Sequence, residues 1–323
     1  MFFEVVGQTL PLFFGMALGF AASWARPFRA AEPGITAFVF FVALPALLFT
    51  LTAESELASG VPWQFVVIIV LSLVIVMGLL GLALRLGMRR RPGSPMHLAM
   101  AGSFGNVAYL GIPVVLGVLG PTAGLIGVVG QLVHNLVFLV AYPVLASVLL
   151  ARSRAGEEGA ERVGAAVRRA TLRSPLLWSV AAGAAVNLLH IPLPGVVTEV
   201  TSMFAAAAAP AALFAIGLTL RGALGALRQG IAAIGPVVVA AAGKIVLLPV
   251  VTALLAVLVA PDLDGAWVVG LVVLAAMPTS ASAFALVGTL VDRQAVATVT
   301  LATNAVSMLS VPAIAAVAIA LLA

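Results

Sequence analysis

Apolar segments long enough to cross a lipid bilayer follow one another along the whole 323-residue chain. Hydrophobic residues make up 63% of the sequence, charged residues only 8%, and the mean hydropathy is +1.24. Soluble domains carry about 25% charged residues, so a soluble fold of this length could not cover so much apolar surface. The sequence therefore predicts an all-α polytopic membrane protein.

Hydropathy and loop signals divide the chain into ten segments, several of them longer than the roughly 20 residues that a spanning helix needs. We call them spans one to ten: 3–23, 34–52, 62–84, 95–119, 122–150, 175–190, 196–220, 231–259, 265–290 and 294–322. The one sizeable hydrophilic connector is 151–174, between spans five and six. We expect it to be a cytoplasmic loop that separates a first five-helix unit (1–150) from a second one (175–323).

The arginines predict the orientation of the spans. All fifteen follow spans one, three, five, seven or nine, whereas the connectors on the opposite side contain acidic residues and neither Arg nor Lys. By the positive-inside rule, these five connectors are cytoplasmic and both termini are extracytoplasmic. Membrane topology also explains the sequence pI near 11, so we expect no nucleic-acid partner. The predicted location is the cell (inner or plasma) membrane, with the lipid bilayer as a partner.

The two halves of the chain share an internal repeat, with offsets of 164 to 169 residues. The matches are PLFFGMALG (11–19) with PLLWSVAAG (175–183), LPALLF (44–49) with APAALF (209–214), Pro113 with Pro278, and Asn135 and Pro143 with Asn304 and Pro312. Because five spans is an odd number, the second half enters the membrane from the opposite side. The predicted architecture is two inverted five-helix repeats, which is typical of secondary transporters.

Spans four and nine contain residues that interrupt a helix. Span four contains FGNVAYLGIPVVLG (104–117), and span nine contains AAMPTSASAF (275–284). Pro suits the first turn of a helix, so we expect each span to consist of two half-helices with a restart near Pro113 or Pro278. A simple proline kink is the alternative. The freed backbone groups would line a cavity at the midplane, and a restarting N-terminus there would favour an anion.

The candidate substrate contacts follow from these two breaks. They are Asn106, Tyr109, the backbone around Gly111, Ile112 and Pro113, and Pro278, Thr279 and Ser280. Asn135 in span five and Asn304 in span ten are further candidates, since a buried amide needs partners and can hold either a broken helix or a carboxylate.

Lys244, the only lysine, lies in the middle of span eight, where a charge costs at least about 3 kcal/mol. The Asp and Glu residues within the span bounds, Glu4 and Glu199, lie at span ends, so no carboxylate is near the midplane to neutralise it. We expect a role in binding or coupling, with a structural tie to unwound carbonyls as the alternative. His134 in span five is a candidate proton carrier, with ordinary packing as its alternative.

Enzymatic signatures are missing from the sequence. There is no Walker A motif, no His/Asp/Glu set with metal-ligand spacing and no cysteine for a disulfide or a thiolate site. We therefore expect neither catalysis, nor a cofactor, nor a metal.

The stretches GNVAYLGIPVVLG (105–117), MPTSASAFALVGTLVD (277–292) and LATNAVSMLSVPAIAAV (301–317) resemble the auxin efflux carrier family, which is related to the bile-acid sodium symporters. The resemblance covers essentially the whole chain. It implies that broken helices four and nine cross at the midplane, and that a transport domain moves against a scaffold domain as an elevator, often in a homodimer. It also implies that Asn106, Gly111, Pro113, Pro278 and Thr279 belong to the crossing motifs. The chain lacks the long central loop of the plant members and any acidic residue in span two, which leaves proton coupling open.

The sequence thus predicts a secondary transporter of small organic anions, either auxin-like or similar to malate or malonate. Two alternatives remain: a sodium-coupled carrier of the bile-acid type, and a membrane receptor or sensor that transports nothing.

Overall fold

The structure is a computed structural model that describes residues 2–55, 60–88, 94–142, 174–228, 234–280, 283, 286–287 and 290–322. The described residues are almost entirely helical, and a single isolated bridge, between Gly105 and Thr279, is their only strand-like pairing. The predicted loop 151–174 lies outside the described residues except for Ser174, and so does Pro143 of the repeat.

Each predicted span contains helix in the described part of the chain. The bounds are Phe2–Ala22 in span one, Arg26–Ala53 in span two, Trp63–Gly87 in span three, Pro95–Ala101 and Val107–Leu119 in span four, Gly124–Asn135 continuing through Leu136–Ala141 in span five, Pro175–Leu188 in span six, Gly195–Arg228 in span seven, Ile234–Val259 in span eight, Gly265–Ala276 in span nine and Leu290–Leu322 in span ten. Among the described residues, six helices are long and apolar enough to cross a membrane, and the apolar helices of spans one, four, six and nine are shorter.

Four π-helical turns in the described residues share one relation to proline. The turns Val39–Ala43, Val107–Gly111, Leu136–Ala141 and Gly243–Leu247 each end two residues before a Pro in the sequence. Proline cannot donate to the carbonyl four residues earlier, and its ring crowds that carbonyl, so a widened turn relieves the conflict without ending the helix.

Pro113 therefore lies inside a continuing helix, Val107–Leu119, and the prediction that span four restarts at this proline is wrong in position. The interruption comes earlier, between Ala101 and Val107. In span nine the helix ends at Ala276, just before Pro278. Met277 adopts φ −59° and ψ 139°, which is the extended conformation that a following proline imposes.

The repeated motifs pack against each other crosswise. A Cβ on Gly19 would collide with the carbonyl oxygen of Phe214, and a Cβ on Gly183 would lie 2.7 Å from the carbonyl oxygen of Phe49. Gly19 and Gly183 occupy equivalent positions in one pair of motifs, and Phe49 and Phe214 in the other. Span one thus approaches span seven in the same way that span six approaches span two.

Buried apolar side chains form two clusters. The larger cluster draws mainly on spans three, four, five, eight, nine and ten, with a few residues of spans one and seven. The smaller cluster joins spans two, six and seven to Ala108, Ile112 and Val128 of spans four and five. Tyr109 packs against both clusters, so it lies at the boundary between them.

Candidate anion-binding site at the crossing of spans four and nine

The interrupted parts of spans four and nine lie side by side, and we call residues 102–106 and 277–280 the crossing. The N–H of Asn106 donates to the carbonyl oxygen of Pro278 at 2.8 Å, and the N–H of Ser280 donates to that of Phe104 at 2.9 Å. Gly105 and Thr279 therefore face each other in an antiparallel bridge. Backbone groups that the two breaks expose satisfy one another, as a low-dielectric environment requires.

Thr279 is held from three directions. Its hydroxyl donates to the carbonyl oxygen of Ala101 at 2.8 Å, at the end of the first half of span four. Its N–H donates to the hydroxyl of Thr303 at 3.0 Å, and its carbonyl oxygen accepts from the Asn304 amide at 3.2 Å. Span ten therefore clamps the crossing, and the Asn304 amide donates to the backbone of span nine.

Lys244 reaches the same place from span eight. Its side chain is fully buried, and Nζ donates to the carbonyl oxygen of Ala275 at 2.6 Å, in the last turn of the span-nine helix. The C-terminal end of a helix carries partial negative charge, which favours an ammonium there. This hydrogen bond ties the Lys244 side chain to the C-terminal end of the span-nine helix.

His134 faces the crossing from span five. Its Nδ1 lies 2.9 Å from the carbonyl oxygen of Gly130, which can only accept, so Nδ1 carries the proton. The buried Nε2 has no hydrogen-bond partner in the described part of the chain. A Cβ on Gly105 would lie 3.4 Å from the Lys244 Nζ and 3.6 Å from the His134 Nε2, so both groups border Gly105.

Asn106 occupies the residue before the resumed helix of span four. This is the position from which an Asn side chain normally caps the first turn, yet here the side chain makes no capping hydrogen bond. The residue is only 4% exposed, and its amide has no partner among the described residues. The amide group and the first-turn N–H groups of the helix are therefore both available to a ligand.

The other predicted site residues lie away from the polar centre of the crossing. A Cβ on Gly111 would contact the side chains of Leu274 and Met277, and Ile112 and Pro113 are buried in the apolar interior. Asn135 accepts a 2.8 Å hydrogen bond from Gln131. The N–H of Gly111 donates to the carbonyl oxygen of Asn106 at 3.1 Å within the helical turn, whereas Asn135 has no described polar contact with the crossing.

Gln131, the hydrogen-bond partner of Asn135, was not among the residues selected from the sequence. Gln131 could have been found, since it lies four residues before Asn135 and such pairs face each other on a helix. Nothing in the sequence shows that Gly105 lies beside both Lys244 and His134. The three residues belong to three different spans, and only the folded chain brings them together.

In the described residues, no group of three His, Asp or Glu side chains could hold a metal ion. The crossing instead combines the amino group of Lys244, the Asn106 amide that makes no capping hydrogen bond, and a helix N-terminus. Such a set can bind an anion by charge and by N–H donation.

The chain is similar to known proteins along most of its length. A family model described as "Membrane transport protein" matches residues 4–315. A protein of Rhizobium meliloti (strain 1021) named "Putative malonate transporter" is 30% identical over 283 residues, which cover 87% of this chain and 85% of that protein.

Proposed function

Because the chain belongs to the membrane transport protein family, which is the auxin efflux carrier family that its sequence resembles, we propose that it is a secondary transporter of small organic anions. The observation that carries the proposal is Asn106, a buried residue at the start of a helix whose side chain makes no capping hydrogen bond. The name of the Rhizobium meliloti relative makes malonate and similar dicarboxylates the first candidate substrates.

A carboxylate at the crossing would accept hydrogen bonds from the Asn106 amide and from the first N–H groups of the helix Val107–Leu119. Lys244 adds positive charge, since its Nζ lies beside Gly105, the residue next to Asn106. Tyr109, one helical turn further on, lies at the boundary between the two apolar clusters and would contact the remainder of the substrate. Thr279, Thr303 and Asn304 hold the crossing in shape.

The crossing is closed in this conformation. Asn106 is 4% exposed, Ser280 is 7% exposed, and Lys244 and Thr279 are fully buried. A substrate can therefore enter only after the helices around the crossing move. We propose that the larger cluster moves against the smaller one as an elevator, with spans two, six and seven in the scaffold.

The crosswise contacts of Gly19 with Phe214 and of Gly183 with Phe49 support the proposed inverted repeat of two five-helix units, 1–150 and 175–323. The orientation with both termini extracytoplasmic and the inner or plasma membrane location rest on the arginine pattern. The homodimer rests on the family resemblance, and proton coupling through His134 stays a prediction.

Ligand-dependent stabilisation of the purified protein tests this proposal. We expect malonate and related dicarboxylates to raise the thermal unfolding midpoint with a saturable dependence on concentration, because a ligand that binds only the folded state stabilises it. Monocarboxylates of similar size and an uncharged diamide of malonate serve as matched controls. Equal midpoints with all these compounds would count against an anion site.

The same screen distinguishes the alternative functions. A sodium-coupled carrier of the bile-acid type would require sodium for the shift, whereas the proposed carrier does not. A receptor or sensor would bind the anion but fail to move it across a membrane, so a flux measurement separates it from a transporter.

A further inference from the structure

The Lys244 side chain lies where a broken helix presents its negative end. Nζ donates to the carbonyl oxygen of Ala275, two residues before Met277 leaves the helix. Carbonyls in the last turn of a helix lack partners within that helix and carry the negative end of its dipole. Helix ends of this kind, with unwound backbone beside them, are where transporters coordinate a sodium ion.

Further acceptors converge on the same point. The position that a Cβ would take on Gly105 lies 3.4 Å from the Lys244 Nζ, 3.6 Å from the His134 Nε2 and 3.6 Å from the carbonyl oxygen of Leu274. Because Nδ1 of His134 holds the ring proton, its Nε2 offers a lone pair. The carbonyl oxygen of Leu274 and the Nε2 of His134 therefore lie in the neighbourhood of the Lys244 Nζ, whose hydrogen bond goes to the carbonyl oxygen of Ala275.

No carboxylate shares this site in the described part of the chain. The described acidic side chains are those of Glu32, Glu54, Glu199, Asp262 and Asp264. Glu32 lies in the second turn of the helix Arg26–Ala53, and the other four lie at or near the ends of helices or in connectors. The ammonium is therefore balanced by neutral acceptors and a helix end, as a bound monovalent cation would be, and not by an ion pair.

We propose that the Lys244 ammonium is the resident cation of a monovalent-cation site that is formed by the carbonyl oxygen of Ala275 and bordered by the carbonyl oxygen of Leu274 and the Nε2 of His134. The cation that shapes the crossing is thereby covalently attached to span eight, so the carrier needs no dissolved sodium ion at this position. Removal of the side chain leaves a cavity with its acceptors in place. That cavity accepts a small free cation, such as sodium, lithium, methylammonium or ethylammonium.

Chemical rescue of the purified full-length Lys244→Ala variant tests the proposal. We expect its unfolding midpoint to lie below that of the wild type, and ethylammonium or sodium chloride to restore at least half of the difference. Choline chloride at equal ionic strength controls for salt effects, because its cation is too large for the cavity. The Lys244→Met variant fills the cavity with a neutral chain, and we expect no cation to stabilise it specifically.

A folded Lys244→Ala protein that responds to sodium, ethylammonium and choline equally would overturn the proposal.

If this variant does not fold, the wild-type protein supplies the second measurement, because Lys244 is the only lysine. Lysine labelled with ¹⁵N at Nζ gives one side-chain signal, and we expect the chemical shift of an ammonium at pH 6.5. We also expect His134→Gln to shift this signal, whereas His190→Gln, in the connector after span six, leaves it unchanged. The shift of a neutral amine would contradict a resident cation.

Neither the unfolding midpoint nor the ¹⁵N signal of Lys244 depends on transport. The inference rests on the proposed function only where uptake is measured. Rescue of stability without any anion uptake by the wild type would leave the cation site standing and remove the transport proposal. Anion uptake by the wild type without cation-specific rescue of Lys244→Ala would leave the transport proposal standing and remove the cation site.

Discussion

The N–H of Asn106 donates to the carbonyl oxygen of Pro278 at 2.8 Å, which joins spans four and nine where each departs from its helix. The bond uses only backbone groups, so the amide side chain of Asn106 is left without a described partner. The two spans therefore support each other's breaks while one polar side chain stays uncommitted. This arrangement is the basis of the predictions that follow.

Replacement of Asn106 by Ala should weaken dicarboxylate binding about 10- to 100-fold, because a hydrogen bond to a charged group contributes about 1.5–3 kcal/mol. The unfolding midpoint without ligand should change little, since the amide ties no described element. Titration of both proteins with malonate by thermal shift or calorimetry measures the difference. Asn187→Ala, whose amide binds Ala53 and Ser55 at the end of span two, is the control and should leave affinity unchanged.

Replacement of Thr279 by Val should lower the free energy of unfolding by about 1–3 kcal/mol, because the carbonyl oxygen of Ala101 loses its buried donor. Thr279→Ser retains the hydroxyl and should recover most of the loss. Denaturant or thermal unfolding in detergent measures both. A Val variant as stable as the wild type would show that the clamp on the crossing contributes nothing.

Gly19→Ala and Gly183→Ala should each lower stability by about 1–3 kcal/mol, since the new methyl meets a carbonyl oxygen of the neighbouring helix. Gly78→Ala in span three is the matched control, because nothing lies within 4 Å of its Cβ position, and it should keep or raise stability. Similar losses for Gly19 and Gly183 are what the inverted repeat requires. A loss at one position only would argue against equivalent packing in the two halves.

Gly105→Ala should fold, because its Cβ would meet no atom closer than 3.4 Å. The methyl group would nevertheless lie 3.4 Å from the Lys244 Nζ and 3.6 Å from the His134 Nε2. We expect a shifted Lys244 signal in the ¹⁵N spectrum and slower malonate uptake, with the unfolding midpoint lowered by only a few degrees. An unchanged signal would show that Gly105 does not border the ammonium.

Much of this architecture could be predicted because hydropathy, arginine placement and proline spacing are local properties of the sequence. The positions of the helices and the pairing of the breaks in spans four and nine followed from them. The position of the break in span four did not, because a π turn absorbs Pro113 and the sequence does not distinguish a proline that ends a helix from one that widens it.

The inner arrangement of the site depends on contacts between distant spans. Asn106, Thr279, Asn304, Lys244 and His134 were recognisable as polar residues in apolar surroundings, but their partners were not. The donors and acceptors that hold them are mostly backbone groups of Ala101, Gly130, Ala275 and Pro278, which any residue type could supply. Only the folded chain shows that Asn135 accepts a hydrogen bond from Gln131 and that Asn304 donates one to Thr279 of the crossing.

Uptake of radiolabelled malonate by liposomes that contain the purified protein tests the central claim most directly. We expect saturable accumulation above that of protein-free liposomes, without a requirement for sodium, and a KM raised about 10- to 100-fold by Asn106→Ala, in line with the loss of a charge-assisted hydrogen bond. Accumulation of malonate or another small organic anion with the same KM in both proteins would contradict the assignment of the site. No accumulation of any such anion by the wild type, under either a proton or a sodium gradient, would contradict the assignment of the function.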